Sequence, residues 1–312
     1  MIKVMLAKTF AASVTVADIP KKWVAVETEY GHKTLNSYHQ NVVFTMNHHG
    51  NHQIEDAPAV KGIDCSIRYD NFIVSHIDLD VLFGILWASG MMPKTQIAEQ
   101  LSNLVADADI NGFHKVLGYI EEIPQNIKEK YLAIGYLING WFFNDNGLAV
   151  KDISKEVHKC ILRIKDIICG EVTPSMIENY TNWMNEQHKV VKQSLLGIFH
   201  LGGGDHLFSF SAGFSLTTAY VVDKLTASII VQYNTSTRSI TLSCINNETA
   251  IRLFGSNGVI TPLINFFGAE AGGKCAIGGT PRNQEYHPEM LDAFIQYLMR
   301  EYLNPPILKE MD

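Results

Sequence analysis

The sequence predicts an α/β fold in two domains, and three stretches carry that expectation. The apolar run Phe72-Ile73-Val74 leads through Ser75 into His76-Ile77-Asp78-Leu79-Asp80, as a buried strand ending in polar chemistry. Val81 to Ala88 is too apolar for a solvated loop and reads as a helix packed back on the sheet. After His200 the texture changes to short strands: 220–222, 227–233 and 239–244, the last two joined as a hairpin by Asn234-Thr235-Ser236-Thr237. The expected architecture is an α/β domain with a mostly parallel sheet over residues 1–150, a helical connection over 151–196, and a smaller α/β domain with a mixed sheet over 197–312, with a cleft between the domains.

Taken in order, residues 1–10 read as an edge strand, because Lys8 interrupts the apolar run that a signal peptide would need. The stretch Asn41 to His52 opens as a second, β-branched and apolar strand, delivering His48 and His49 before it breaks at Gly50. Between Lys94 and Leu117 the apolar residues Ile97, Leu101, Leu104 and Val105 fall at helical spacing. Residues 127–141 are helical by the same pattern, and Asp152 to Ile168 and Pro174 to Leu196 are amphipathic helices.

In a strand, His76, Asp78 and Asp80 would share one face, with Ile77 and Leu79 on the other. Two carboxylates at the end of an apolar strand repel one another and lose hydration, so a cation or a shared proton is expected to compensate. Imidazole and carboxylate donors together suit Mn, Mg, Fe or Zn. Asp107, Asp109 and His114 are the next candidates for a second metal position, although Asp and Asn before Gly112 are also ordinary helix-ending chemistry. Asp64 and Asp70 flank another short strand-like run. In the last third, Gly272 and Gly273 beside Lys274, with Arg282 beyond, suit close backbone approach to a phosphate or carboxylate; a hairpin with two surface cations is the other reading.

Composition narrows the classes. A formal charge of -7 argues against broad nucleic-acid binding. No segment approaches the roughly 20 apolar residues of a membrane helix. The five cysteines form no C-x-x-C pair, so neither a disulfide framework nor a zinc ribbon is expected, and a reducing cytoplasm fits.

His76-Ile77-Asp78-Leu79-Asp80 resembles the His-x-Asp-x-Asp motif of the DHH phosphoesterases, and Asn47-His48-His49-Gly50 is similar to their Asp-His-His motif. Residues 267–282 resemble the glycine-rich segment of the substrate-binding domain that follows the catalytic domain in that family. The chain departs in three ways: Asn47 replaces an Asp, Val81 stands where a glycine usually follows, and the two motifs occur in inverted order. The resemblance implies a two-domain metal-dependent hydrolase that cleaves a phosphoester or phosphoanhydride of a small anionic substrate, a nucleotide or a short oligonucleotide. Its divalent cations, manganese first, would be held by His76, Asp78, Asp80, His49 and Asp107. His48, His49 and Asp80 would act in catalysis, and Gly272, Gly273, Lys274 and Arg282 would hold the substrate. The lost carboxylate at Asn47 leaves two alternatives open, a metal-dependent hydrolase or lyase on a non-phosphate substrate and an inactive binding module. A homodimer is also left open.

Overall fold

A computed structural model describes residues 2–6, 22–27, 42–46, 54–74, 76–111, 115–116, 119–139, 151–213, 219–281 and 284–303. The protein is α/β with mixed sheets, and the chain divides into two compact units, Met1–Trp183 and Met184–Asp312. Among the described residues no helix is long and apolar enough to cross a membrane.

The first unit is built on β1 (Lys3–Leu6), β2 (Trp23–Val26), β3 (Val42–Met46), β4 (Asn71–Val74) and β5 (Lys151–Asp152), in the order β3-β2-β4-β1-β5. The first four run parallel, and β5 closes one edge antiparallel to β1. Every side chain of β2 is buried, as are Phe72, Ile73 and Val74 of β4, which is how a parallel sheet covered on both faces reads in sequence. The strand expected at an edge, β1, is interior. Its outer neighbour β5 is only two exposed residues, Lys and Asp, and gives no apolar signal.

The helix expected after Asp80 is present as α2 (Leu79–Ala88), following the one-turn α1 (Pro58–Lys61). All of α2 from Asp80 to Ala88 is buried. Burying Leu82, Phe83 and Leu86 contributes about 1.5–3 kcal/mol each. Glycines let α1 and α2 touch: a Cβ on Gly84 would lie 2.8 Å from the Pro58 Cβ, and one on Gly62 2.8 Å from the Trp87 Cβ. Next come α3 (Gln96–Asn111), packed on α1 and α2, and α4 (Gln125–Asn139), packed on α3. Trp87 Nε1 donates to Ser102 Oγ at 2.8 Å and fixes α2 against α3. Of the two helices in the expected connection, α5 (Ser154–Cys169) packs on β1, α2 and α4, with Val157, Ile161, Ile164 and Ile168 buried. Lys130 of α4 is buried and donates to the carbonyls of Ile167, at 2.7 Å, and Gly170, so its ammonium caps the C-terminal end of α5. The boundary between the units falls inside α6 (Pro174–Ser194).

The second unit has a six-stranded mixed sheet in the order β12-β13-β11-β10-β7-β6. Its strands are β6 (Leu195–His200), β7 (His206–Ala212), β10 (Ile229–Asn234), β11 (Ser239–Cys244), β12 (Gly272–Lys274) and β13 (Ile277–Gly279), while β8 (Val221–Val222) and β9 (Leu225–Thr226) form a separate ribbon. The expected hairpin is β10–β11, and Asn234 Oδ1 closes its turn by accepting the N–H groups of Ser236 and Thr237. Alternation divides the strands between two cores. Leu207, Ile229, Val231 and Leu242 pack with α7 (Asn247–Phe254), α8 (Ile260–Phe267) and α9 (Glu289–Leu298). Phe208, Phe210 and Ile230 pack with Val191, Tyr220 and Val222.

Candidate functional site

The parallel strands β2, β3 and β4 end together, since Val26 pairs with both Met46 and Val74. Ligands of open α/β sheets collect at this carboxyl edge. Glu27 stands directly after β2, with its N–H donating to the Met46 carbonyl at 2.9 Å. Its φ is 54°, in the left-handed region that a non-glycine residue adopts at a cost. Its side chain is only 2% exposed.

The strand expected to carry His76, Asp78 and Asp80 on one face stops at Val74. The reason lies in Asp78, whose Oδ1 accepts the Val81 N–H at 2.9 Å as the N-cap of α2, so the chain turns into a helix at Leu79. Asp78 and Asp80 are therefore neighbours around a helical first turn instead of alternate residues of a strand. His76 Nε2 lies 3.0 Å from Asp78 Oδ2, so one carboxylate both caps the helix and orients the ring.

Asp80 is 2% exposed. Its Oδ1 accepts the Ala59 N–H at 2.9 Å, while its Oδ2 is buried and has no hydrogen-bond partner among the described residues. Burial holds this carboxyl well above the usual range; the charges of Asp109, Asp78 and Glu27 add to the shift, and the Ala59 N–H opposes it. The His76 ring answers the same charges. Its burial lowers the pKa, but Asp78, by charge and hydrogen bond, with Glu27 and Asp109 behind it, outweighs that and raises it to about 9. A ring held in its protonated form must lose that proton before it can ligate a metal.

Asp107 and Asp109 are two residues apart on α3 and so face different ways. Asp109 adds its charge at Asp80 and His76. Asp107 instead accepts from Asn111 Nδ2 at 2.6 Å and from the Tyr119 hydroxyl, with Lys115 Nζ at 3.5 Å. It lines a separate pocket of about 500 Å³ with Ile54, Leu104, Tyr119, Ile123 and Ile127.

His48, His49, His114 and Arg282 lie outside the described residues. Among the described residues, no three His, Cys, Asp or Glu side chains stand ready to hold a metal ion. In the second unit, Gly272, Gly273 and Lys274 form β12, paired with β13. Gly273 is needed by that hairpin, because a Cβ there would lie 2.3 Å from the Ile277 carbonyl oxygen. A Cβ on Gly272 would meet nothing within 4 Å.

Glu27 is a buried carboxylate at this edge that motif reading missed. Its signal was an apolar run, Trp23-Val24-Ala25-Val26, ending in a carboxylate, the same pattern that drew attention to His76. The chain matches no protein-family model and no curated protein.

Proposed function

We propose that the first unit binds a divalent cation, manganese foremost, at the carboxyl edge of its parallel sheet and hydrolyses a phosphoester or phosphoanhydride of a small anionic or nucleotide-like substrate. The observation that carries this reading is the buried Oδ2 of Asp80, without a hydrogen-bond partner among the described residues and influenced by the charges of Asp109, Asp78 and Glu27. A buried carboxylate among others is stabilised either by a proton or by a cation, and a cation answers several charges at once. The chemistry of the donors, carboxylate oxygens and imidazole nitrogen, fits such an ion.

In this reading Asp80 presents its Oδ2 to the ion, and Asp78 ligates or orients His76 through the 3.0 Å contact. His48 and His49, which follow Met46 within three residues, complete the donor set as the resemblance to DHH phosphoesterases implies. When bound, the cation supplies an acidified water as nucleophile. Lys274 and Arg282 of the second unit would bind an anionic group, as the resemblance implies. All five cysteines are free, which supports a reducing, cytoplasmic setting.

Metal-stripped protein reloaded with Mn²⁺ and given bis-p-nitrophenyl phosphate, a nucleoside monophosphate, a dinucleotide and pyrophosphate tests the reading. Manganese-dependent turnover of at least one, reduced about a hundredfold or more by Asp80→Asn, is expected. Failure to turn over any of the four contradicts it.

One observation favours a second reading, an inactive binding module. Asp80 Oδ1 already ties α1 to α2 through Ala59, a role that a neutral carboxyl performs without any metal. Protein that recruits no divalent ion would support the module.

A further inference from the structure

We infer that β6 is a dimerisation edge, along which a second copy of this chain adds its own β6 antiparallel and continues the sheet of the second unit. The inference is independent of the cation reading. β6 stands last in the sheet order, with β7 as its ladder neighbour among the described residues. The Leu201 N–H donates to the Asp205 carbonyl at 2.8 Å, so by the antiparallel alternation His200 and Ile198 are the residues whose N–H and C=O groups point away from β7. A row of such groups is a template for another strand.

Edge strands are ordinarily protected by charged side chains, by proline or by irregular pairing. The run Leu195-Leu196-Gly197-Ile198-Phe199-His200 contains no Asp, Glu, Lys, Arg or Pro, and its register shift lies between Leu195 and Gly197, which leaves 197–200 regular. Its apolar side chains are also open to solvent, Leu196 at 61% and Ile198 at 37% exposure. Symmetry argues for a second copy as the occupant. A two-fold axis at Phe199 sets Ile198 opposite the partner's His200, and His200 opposite the partner's Ile198, so the outward groups of both copies bond one another in pairs. Phe199 then faces the partner's Phe199 as the close, non-hydrogen-bonded pair, an aromatic cross-strand contact. Leu196 comes over the partner's Gly202, a position where even a Cβ would meet nothing within 4 Å. Two copies of a chain with a formal charge of -7 approach with least repulsion along an uncharged strand. A foreign strand would have to bring the matching residues, whereas the copy already carries them.

Sedimentation equilibrium of the full-length protein over about 1–100 μM tests the proposal, with thermal melting to show that each variant folds. Wild type is expected at twice the mass of the chain. Ile198→Lys puts a charge on the edge, and Ile198→Pro removes an outward N–H while sparing the ladder to β7; each should weaken dimerisation about tenfold or more. Ile251→Lys places the same charge at a 48% exposed position on α7, away from the edge, and should leave the dimer unchanged. A wild type that stays monomeric at the highest concentration overturns the proposal. So does a dimer that either Ile198 variant forms as tightly as wild type, or one that Ile251→Lys weakens as much as they do. If one Ile198 variant fails to fold, the other decides. If neither folds, Leu196→Lys, at the more exposed position, takes their place: weaker dimerisation supports the edge, and wild-type dimerisation overturns it.

Discussion

Asp80 joins two helices with one of its oxygens and leaves the other for chemistry: Oδ1 accepts the Ala59 N–H at 2.9 Å, and Oδ2 is buried without a hydrogen-bond partner among the described residues. The two functions separate by mutation. Asp80→Asn keeps an acceptor for Ala59 and removes a charge, so metal-free stability should be unchanged or higher while Mn²⁺ binding is lost. Asp80→Ala loses the acceptor too and should destabilise by about 1–3 kcal/mol in urea unfolding. Equal stability of the Asn and Ala variants would contradict the tie to Ala59.

In the metal-free protein Asp80 and His76 each contribute stability that is lost as pH rises. The Asp80 carboxyl has a folded pKa above its unfolded value, so the folded state binds more protons; its contribution is present at low pH and lost as pH climbs toward the raised value. His76, raised from 6.5 to about 9, adds stability fully present below 6.5 and lost as pH passes 9. NMR titration of the ring should show a midpoint near 9 in wild type, falling toward 6.5 in Asp78→Asn. A wild-type midpoint of 6.5 would rule out the Asp78 pairing.

Lys130→Met tests the buried cap on α5. It keeps much of the aliphatic stem but leaves the carbonyls of Ile167 and Gly170 without their ammonium donor, which should cost about 1–3 kcal/mol in denaturant unfolding. Full wild-type stability would mean water replaces the ammonium at no cost.

The paired glycines divide structure from binding in the second unit. Gly273→Ala should destabilise the β12–β13 hairpin by about 1–3 kcal/mol, because its Cβ would lie 2.3 Å from the Ile277 carbonyl oxygen. At Gly272 nothing lies within 4 Å, so Gly272→Ala should leave the melting temperature unchanged and raise KM if substrate approaches the backbone there. A KM unaffected by Gly272→Ala would confine these glycines to the hairpin.

Several elements were legible from residue pattern alone. The buried helix α2 announced itself because nine successive buried residues, Asp80 to Ala88, leave almost no polar face, and the β10–β11 hairpin because β-branched runs flank an Asn-led turn. Other features depend on tertiary partners that spacing does not encode. The strand β1 became interior only through β5, whose Lys and Asp carry no strand signal. The one-face spacing of His76, Asp78 and Asp80 suggested a strand, but the capping bond from Asp78 to Val81 ended it early. Glu27 escaped notice because a lone acid after four apolar residues acquires meaning only when β4 is laid beside β2. Asp107 and Asp109 looked equivalent until the helix turned one to Tyr119 and the other toward the Asp80 cluster.

Crystals of the full chain grown with MnCl₂, with diffraction recorded on both sides of the manganese absorption edge, test the cation site most directly. An anomalous peak within roughly 2.0–2.3 Å of Asp80 Oδ2 is expected, at the carboxyl edge of β2 and β4. A peak elsewhere, such as beside Asp107 in the pocket lined by Tyr119, or no peak at saturating Mn²⁺, would contradict it.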